Sequence, residues 1–245
     1  MRRVVVLAAV TVAMASATFP ARAQSGWTID SFDVVMAVAA DGTFEVTETI
    51  AVDFGSLTRH GIYRDIPVRY ELPPDPPFEL PDPDLEPADY LRAIDIDEIR
   101  VSSRSAPDEV EITRPGPTGG EWLRIRIGDP DRTISGPHTY TIRYRVRGAF
   151  DRFDGGPELF WDVTGNDWEA PIRRAAAVVI GPPAAEAACF RGVYGASGTC
   201  TSRLDSDRVF VTADDLRPGE GMTLSVRYSE GAVELPPPIL EEKWS

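Results

Sequence analysis

The sequence is poor in the residues and motifs on which most enzymes depend. Its 245 residues include only two histidines, His60 and His138, and neither lies in a metal-ligand spacing such as H-E-x-x-H. It contains no G-x-S-x-G nucleophile elbow and no glycine-rich phosphate loop. These absences give no support to a zinc hydrolase, a serine hydrolase or a nucleotide-dependent enzyme, and we expect no metal site and no cofactor.

Helical periodicity is also scarce. No long helical pattern stands out, and 22 prolines and 20 glycines separate many short alternating runs, which favours strands and turns. An apolar content of 42% is sufficient for a buried core. We therefore predict an all-β fold, with a single antiparallel β-sandwich over residues 27–230 and two small packed β-sandwiches as the alternative.

The only pronounced apolar run lies at the N-terminus and has the pattern of an export signal. Two arginines precede apolar residues 4–17, and Ala21-Arg22-Ala23 has the small-x-small pattern of a cleavage site. The run is about 14 residues long, whereas a membrane span needs roughly 20. Residues 1–23 are therefore predicted to be a signal peptide, with an uncleaved anchor as the alternative. The mature chain is expected at the periplasmic or extracellular face of the membrane.

Positive charge is in short supply. The formal net charge is -14, and removing residues 1–23 deletes three arginines and no acid, so Lys+Arg falls from 25 to 22 and the net charge becomes -17. A chain this acidic is a poor generic binder of nucleic acid, whose phosphates carry the same sign. We expect no nucleic-acid partner.

Cysteine is nearly absent, and the two that occur enclose a glycine-rich loop. An even pair in an exported chain usually forms a disulfide, which predicts a bond between Cys189 and Cys200. A metal role is disfavoured because no histidine lies near either residue, and a redox role is disfavoured because the spacing is not C-x-x-C.

The clearest strand signal follows the hairpin dipeptide Asp41-Gly42 and contains a conflict between pattern and charge. Five apolar residues alternate on one face: Phe44, Val46, Ile50, Val52 and Phe54. Glu48 shares that face, and Arg64 shares a second apolar face with Ile62 and Ile66. Because a buried charge is costly unless it is paired, Glu48 and Arg64 are predicted to form a buried ion pair. The alternative is that Glu48 is a general acid with a perturbed pKa.

Two segments are rich in proline. Residues 71–88 interleave prolines with acids and cannot join the interior of a sheet. Their functional interpretation is a calcium or partner loop, and the alternative is a solvated excursion of polyproline type. The loop would use four acids: Asp75, Asp82, Asp84 and Asp89. Residues 231–245 are predicted to be a proline-rich tail or linker.

Two later segments combine strand patterns with arginine. Residues 122–127 and 139–147 are predicted to form an antiparallel pair linked through residues 128–137. Their outer faces would then align in an arginine stripe, which comprises Arg124, Arg126, Arg143, Arg145 and Arg147. The stripe could bind anionic lipid headgroups or an acidic envelope polymer. The alternative is a solvated face balanced by Glu109 and Glu111.

A pair of tryptophans forms the remaining candidate surface. Trp161 and Trp168 bracket a turn built from Gly165, Asn166 and Asp167. Aromatic rings beside acids can form a sugar-binding platform, or they can form an aromatic corner that closes the end of a β-sandwich. The platform would suit an envelope glycan-directed hydrolase that uses acids near Trp161 and Trp168.

Several of these segments together resemble a known family. The H-G-I-Y-R-D-I-P segment at residues 60–67 and the later W-D-V-T-G segment at 161–165, followed by Trp168, carry the resemblance. In this order they are similar to the N-terminal extracytoplasmic domain of the YciQ-like predicted membrane proteins, domain of unknown function 2207. The similarity spans roughly Trp27 to Tyr228.

The resemblance implies an exported β-rich domain that is usually followed by transmembrane helices and has no established activity. No membrane span follows the domain before Ser245, which is expected either of a fragment of a longer membrane protein or of a soluble version. We therefore expect a non-catalytic binding or sensing module of a cell-envelope protein, whose partner is an anionic lipid, an envelope polymer or another protein.

Overall fold

A computed structural model describes residues 26–243, apart from residues 77, 79, 81, 83, 85, 117–120, 154 and 206. The predicted signal peptide lies outside the described residues. Within them the chain forms strands joined by turns and one short 3-10 turn at Pro87–Asp89. The fold is all-β, with several antiparallel sheets packed together.

The strands follow one another along the chain as follows: β1 Thr28–Val38, β2 Phe44–Asp53, β3 Ile62–Pro67, β4 Arg69–Glu71, β5 Tyr90–Ala93, β6 Asp95–Ser103, β7 Val110–Thr113, β8 Trp122–Ile127, β9 Pro137–Arg147, β10 Phe150–Phe153, β11 Gly156–Asp162, β12 Ile172–Ile180, β13 Ala184–Gly192, β14 Gly198–Thr199, β15 Thr201–Asp205, β16 Arg208–Leu216, β17 Gly221–Tyr228 and β18 Ile239–Glu242.

The largest sheet has seven strands in the order β15-β16-β12-β1-β2-β9-β6. Its first hairpin, β1–β2, forms at the expected dipeptide, because the Asp41 carboxylate accepts hydrogen bonds from the Thr43 backbone N–H at 3.0 Å and hydroxyl at 2.7 Å. Gly42 supplies the positive φ of 76° that the turn needs. Burial then alternates along β2, so one face of the sheet is apolar.

One pairing in this sheet departs from the purely antiparallel expectation. β1 runs parallel to β12, with Ile29 opposite Ile172 and Ala37 opposite Ile180. Parallel neighbours need a long crossover connection, and the chain between these two strands provides one by building most of the other strands. Two neighbouring strands in the middle of the sheet, β1 and β12, thus come from distant parts of the chain.

Two smaller sheets cover the apolar face of the seven-stranded sheet. One has five strands in the order β10-β11-β17-β13-β14, and the other has the order β3-β8-β7. Phe44 of β2 packs edge-on against Trp161 of β11, with ring centroids 5.3 Å apart. Arg64 of β3 reaches Glu48 of β2 from the other small sheet. The core lies between these layers, as expected of a sandwich.

A third small sheet, β18-β5-β4, includes part of the segment that was expected to be a tail. Residues 239–242 form β18, in which Ile239 pairs with Ala93. The prolines at 236–238 precede the strand and so do not interrupt its ladder. An ion pair between Arg69 and Glu241 at 2.6 Å, and another between Glu71 and Lys243, fasten β18 to β4 and its surroundings.

The predicted pairing of β8 with β9 is wrong. β8 pairs with β3 and β7, whereas β9 pairs with β2 and β6 in the opposite layer. Each strand has one apolar face, and the connection between them is long enough to carry the chain from one layer to the other. The two apolar faces therefore oppose one another across the core instead of lying side by side.

Candidate functional site

The structure brings Glu48 and Arg64 together as a buried ion pair between two layers. Arg64 Nε donates to Glu48 Oε2 at 2.9 Å, and Nη2 donates to Oε1 at 2.9 Å. The Tyr144 hydroxyl of β9 donates to the same Oε1 at 2.6 Å. Relative exposure is 0% for Glu48 and 1% for Arg64, so no substrate can reach this carboxylate. The geometry fits the structural role and not the general-acid alternative.

The remaining N–H groups of Arg64 bind backbone carbonyls on both sides of the pair. Nη1 donates to Asp65 O at 2.8 Å and to Thr164 O at 3.1 Å, and Nη2 donates to Val163 O at 3.0 Å. With the two bonds to Glu48, all five donors of the guanidinium are satisfied. A Cβ at Gly165 would lie 2.9 Å from Nη1, so the adjoining turn needs glycine to approach this closely.

Opposing effects set the protonation of this cluster. Burial lowers the pKa of Arg64, but the adjacent carboxylate of Glu48 and its hydrogen bonds raise it, and the net result is a raised pKa. Burial, followed by the charge of Glu48, raises the pKa of Tyr144 well above its ordinary value. Arg64 is therefore held charged and Tyr144 is held neutral as a donor.

The turn after β11 is fixed to this cluster through Thr164. Trp168 Nε1 donates to Thr164 O at 2.7 Å, and Met222 N donates to Thr164 Oγ1 at 2.8 Å. Trp168 packs edge-on against Phe32, and both Trp161 and Trp168 are in the core, at 3% and 7% exposure. Little of either ring is open to a sugar. Both tryptophans form the expected aromatic corner, and only Trp168 also borders a cleft.

An open cleft of about 530 Å³ lies beside the corner. We call it the Tyr63 cleft, after the Tyr63 side chain, which is 55% exposed on β3. Its wall is built from the H-G-I-Y-R-D-I-P segment, the end of β8 and the turn that carries Trp168. Charged residues of both signs line it: Arg59, Asp65, Arg124, Arg126, Asp167 and Glu169.

The charged groups of the Tyr63 cleft are held to different degrees. Arg124 grips Asp65 with two hydrogen bonds of 2.7 Å, and its guanidinium lies over the Tyr63 ring at 5.2 Å. Asp167 and Glu169 are exposed, and among the described residues neither takes part in an ion pair. Burial raises the pKa of Asp167, and the charge of Asp65 raises it further.

Close backbone approach shapes the rim of the cleft. A Cβ at Gly61 would lie 1.8 Å from Ile127 O, and one at Gly128 would lie 1.9 Å from His60 O, so only glycine fits at either strand end. His60 Nδ1 faces two carbonyl acceptors, Asp129 O at 3.2 Å and Arg132 O at 3.1 Å. Because carbonyl oxygens only accept, Nδ1 is the donor in this arrangement.

The arginine stripe is divided between two layers, because β8 and β9 do not pair. Four of its members have carboxylate partners: Arg124 with Asp65, Arg126 with Glu111 at 3.3 Å, Arg145 with Glu98 at 2.7 Å and Arg147 with Asp97 at 2.9 Å. Arg143 has no ion pair among the described residues. The arrangement matches a solvated face on which four of the five arginines are balanced locally.

The two cysteines and the proline-rich acids complete the predicted residues. Cys189 and Cys200 form a disulfide with their Cα atoms 5.0 Å apart. Of the four acids proposed as calcium ligands, Asp82 accepts a bond from Asp84 N at 2.9 Å, and Asp89 accepts one from Glu86 N at 2.9 Å. Among the described residues, no group of three or more metal-ligating side chains occurs.

Sequence reasoning missed two parts of the site. Tyr144 was seen only as a member of an apolar face, and nothing in that pattern indicated that its hydroxyl binds Glu48. The Tyr63 cleft was also missed, although the H-G-I-Y-R-D-I-P segment and Trp168, which carry part of the family resemblance, line it. Their joint presence was the available signal.

The architecture and the matched segments define the class of protein. Residues 28–228 match the family described as "Predicted membrane protein (DUF2207) N-terminal domain", and the chain belongs to that family. No helix among the described residues is long and apolar enough to cross a membrane.

One curated relative and two solved structures give the scale of similarity. The chain is 28% identical to the uncharacterized protein YciQ of Escherichia coli over 181 residues, which covers 68% of this chain and only 25% of the relative. Yeast leukotriene A4 hydrolase bound to bestatin shares 9% identity at a TM-score of 0.47, over 87% of this chain and 32% of the hydrolase. A zinc metallopeptidase from Deinococcus radiodurans shares 9% identity at a TM-score of 0.38, over 84% of this chain and 44% of its own. Likenesses this distant carry no functional inference.

Proposed function

We propose that the chain is a non-catalytic binding module of a membrane-associated envelope protein and that its ligand occupies the Tyr63 cleft. An export-type N-terminal segment and the Cys189–Cys200 disulfide support a location outside the cytoplasm, where disulfides persist. Membership of a predicted membrane protein family supports a location of this domain at a membrane.

The observation that carries the proposal is the preorganisation of the cleft. Tyr63 is the most exposed aromatic ring in it, and Arg124 holds that ring from one side while being fixed by Asp65. Tyr63 lies on β3, and the next residue of that strand, Arg64, anchors it because all the guanidinium donors of Arg64 are satisfied in the core. A side chain fixed before binding loses little entropy when a ligand arrives, and exposed tyrosines supply contact area at low cost.

The charges of the cleft indicate the class of ligand. Among the described residues, no ion pair is made by Asp167, Glu169 or Arg59, and Arg59 lies 6.0 Å over the Trp27 ring. A ligand that bears both signs would satisfy these groups together, as a segment of a partner protein does. A purely anionic polymer would meet the carboxylates unfavourably.

Site-specific photocrosslinking in cells tests the proposal. With a benzoylphenylalanine at position 63, we expect a discrete protein adduct that is lost when Asp167→Asn and Arg59→Gln are added. Position 35 is the matched control, because Val35 is 45% exposed on the outer face of the large sheet. Adducts of equal yield at positions 63 and 35 would contradict the proposal. So would an adduct at position 63 whose yield is unchanged by Asp167→Asn and Arg59→Gln.

A second candidate, the glycan-directed hydrolase, keeps one favourable observation. The raised pKa of Asp167 suits a general acid, and Glu169 lines the same cleft. Against it, Asp65 is hydrogen-bonded to Arg124, Trp161 does not line the cleft, and Trp168 is only 7% exposed. Release of reducing ends from peptidoglycan that disappears in Asp167→Asn would establish the hydrolase instead.

A further inference from the structure

An apolar patch lies apart from the Tyr63 cleft. It comprises Phe160 and Phe190 on the outer face of the five-stranded sheet, Val193 and Tyr194 on the adjoining loop, and Tyr70 on β4. Phe160 is 54% exposed and Phe190 lies beside it, with ring centroids 6.2 Å apart. Val193 and Tyr194 are 59% and 86% exposed. Exposed apolar side chains gathered in one place mark an interaction surface more often than scattered ones do.

The most exposed part of the patch is held rigidly. Ala196 N donates to Val193 O at 2.9 Å, which closes a β-turn with Tyr194 and Gly195 at its centre. Gly195 has the positive φ of 77° that a left-handed turn position requires. The disulfide and a bond from Cys200 N to Cys189 O at 3.0 Å close the base of the loop. The turn therefore constrains the backbone at Tyr194, whose side chain projects outward.

Tyr70 lies between this loop and the C-terminal segment. Burial raises the pKa of the Tyr70 phenol, and the charge of Asp162 and the neighbouring Tyr194 raise it further, which is consistent with all three lying in one region. Asp162 is two residues beyond Phe160 on the same face of β11. Tyr70 itself lies between Arg69 and Glu71, which pair with Glu241 and Lys243 of the C-terminal segment.

This position gives the patch a specific neighbour. The matched domain is the N-terminal part of a predicted membrane protein, and the Escherichia coli relative is far longer than the region matched here. In such proteins the membrane part follows the domain. β18 lies two strands from β4, with β5 between them, but Lys243 beyond β18 pairs with Glu71, the residue next to Tyr70. The last described residues of the domain thus lie near Tyr70 of the apolar patch.

We propose that the apolar patch rests on the lipid bilayer, with Tyr194 and Phe160 inserted at the boundary between headgroups and acyl chains. Tyrosine is enriched at this boundary because its ring is apolar and its hydroxyl stays wet. In a membrane-linked protein the tether supplies a high effective concentration, so weak intrinsic affinity is sufficient. Because apolar insertion drives the contact and the chain is acidic, neutral lipid should serve as well as anionic lipid.

Vesicle cosedimentation of the purified chain, with the disulfide intact, tests the proposal. We expect binding to phosphatidylcholine vesicles at high lipid concentration that persists in high salt. Tyr194→Ser combined with Phe160→Ser should weaken it about tenfold, the effect of losing about 1.4 kcal/mol of apolar burial. Val35→Ser, at an exposed site on the far sheet face, is the control and should change nothing. Tyr194→Ser alone, at a turn outside the core, should give a smaller loss and guards against misfolding of the double variant.

Three results would overturn it. Absence of binding to neutral vesicles at every lipid concentration would remove the membrane contact. Binding restricted to vesicles containing phosphatidylglycerol and abolished by salt would assign the contact to arginines, with Arg143→Gln as the variant that loses it. A concentration-dependent dimer in sedimentation velocity that the patch variants abolish would make a second copy of this chain the occupant. None of these results bears on crosslinking at position 63, so the two proposals fail independently.

Discussion

Replacing one member of the Glu48–Arg64 pair should destabilise the fold almost as much as replacing both. Arg64→Met removes both charged hydrogen bonds and leaves the Glu48 carboxylate with the Tyr144 hydroxyl alone. That carboxylate is 0% exposed, so water cannot replace the lost donors. Breaking a buried pair in this way costs about 3–5 kcal/mol, and we expect about 4 kcal/mol for Arg64→Met.

The partner substitution should cost less. In Glu48→Gln the guanidinium keeps its bonds to the carbonyls of Asp65, Val163 and Thr164, which disperse part of its charge. We expect a loss of about 3 kcal/mol, at the low end of the range for a broken buried pair.

The double variant carries no buried charge, but it does leave polar groups unpaired. Val163 O and Asp65 O lose their Arg64 donors, whereas Thr164 O keeps the bond from Trp168 Nε1 at 2.7 Å. An unsatisfied buried acceptor costs about 1–3 kcal/mol. We therefore expect a loss of about 4 kcal/mol for the double variant, against a sum of about 7 kcal/mol for the two single variants.

Urea denaturation of the four proteins measures this coupling, and the melting temperature provides a second readout. The exposed pair Arg152–Glu230, whose side chains are 52% and 72% exposed, is the matched control. The same cycle there should give at most about 1 kcal/mol. If the losses at Glu48 and Arg64 add to within about 0.5 kcal/mol, the two charges do not compensate each other and the reasoning is refuted.

Two further predictions concern stability. Reducing the Cys189–Cys200 disulfide, or replacing both cysteines with serine, should cost about 3 kcal/mol, because the bond restricts the entropy of the unfolded chain by closing a loop between residues 11 positions apart. Mass spectrometry of an unreduced digest should show the linked peptides, and alkylated free thiols would contradict the bond. Burial raises the pKa of Asp162 above its ordinary value of 3.8, so the folded state binds this proton more tightly and stability should rise as pH falls from neutral toward that value. Asp162→Asn should remove that rise in denaturant titrations across pH, and an unchanged profile would show that the shift is absent.

Local pattern was sufficient to predict most of what depends on neighbouring residues. Alternation along residues 44–54 and 139–147 located β2 and β9, because a strand buries every second side chain whatever its partner is. The same alternation exposed Glu48 and Arg64 as charges on apolar faces. A buried charge is costly without a partner, and Glu48 and Arg64 carry opposite charges, so each could be predicted to pair with the other.

Non-local arrangement could not be predicted in this way. The connection between β8 and β9 fits a hairpin as well as a crossing between layers, and only the fit of the apolar faces across the core decides between them. The Tyr63 cleft draws Arg59, Asp65 and Asp167 from segments far apart in the chain. Its charges are exposed, so they leave no mark on the hydrophobic pattern by which sequences are interpreted.

The parallel pairing of β1 with β12 affects how the protein folds. Ile29 and Ile172 are separated by about 140 residues, which gives the fold a high contact order and predicts slow folding, on the scale of milliseconds to seconds. Synthesis produces β1 first, and the hairpin with β2 forms early because it is local. The opposite edge of β1 then stays unpaired until β12 has been made, and during that interval it can pair with strands of other chains. High expression in a cell should therefore favour aggregation through this edge before the seven-stranded sheet is complete.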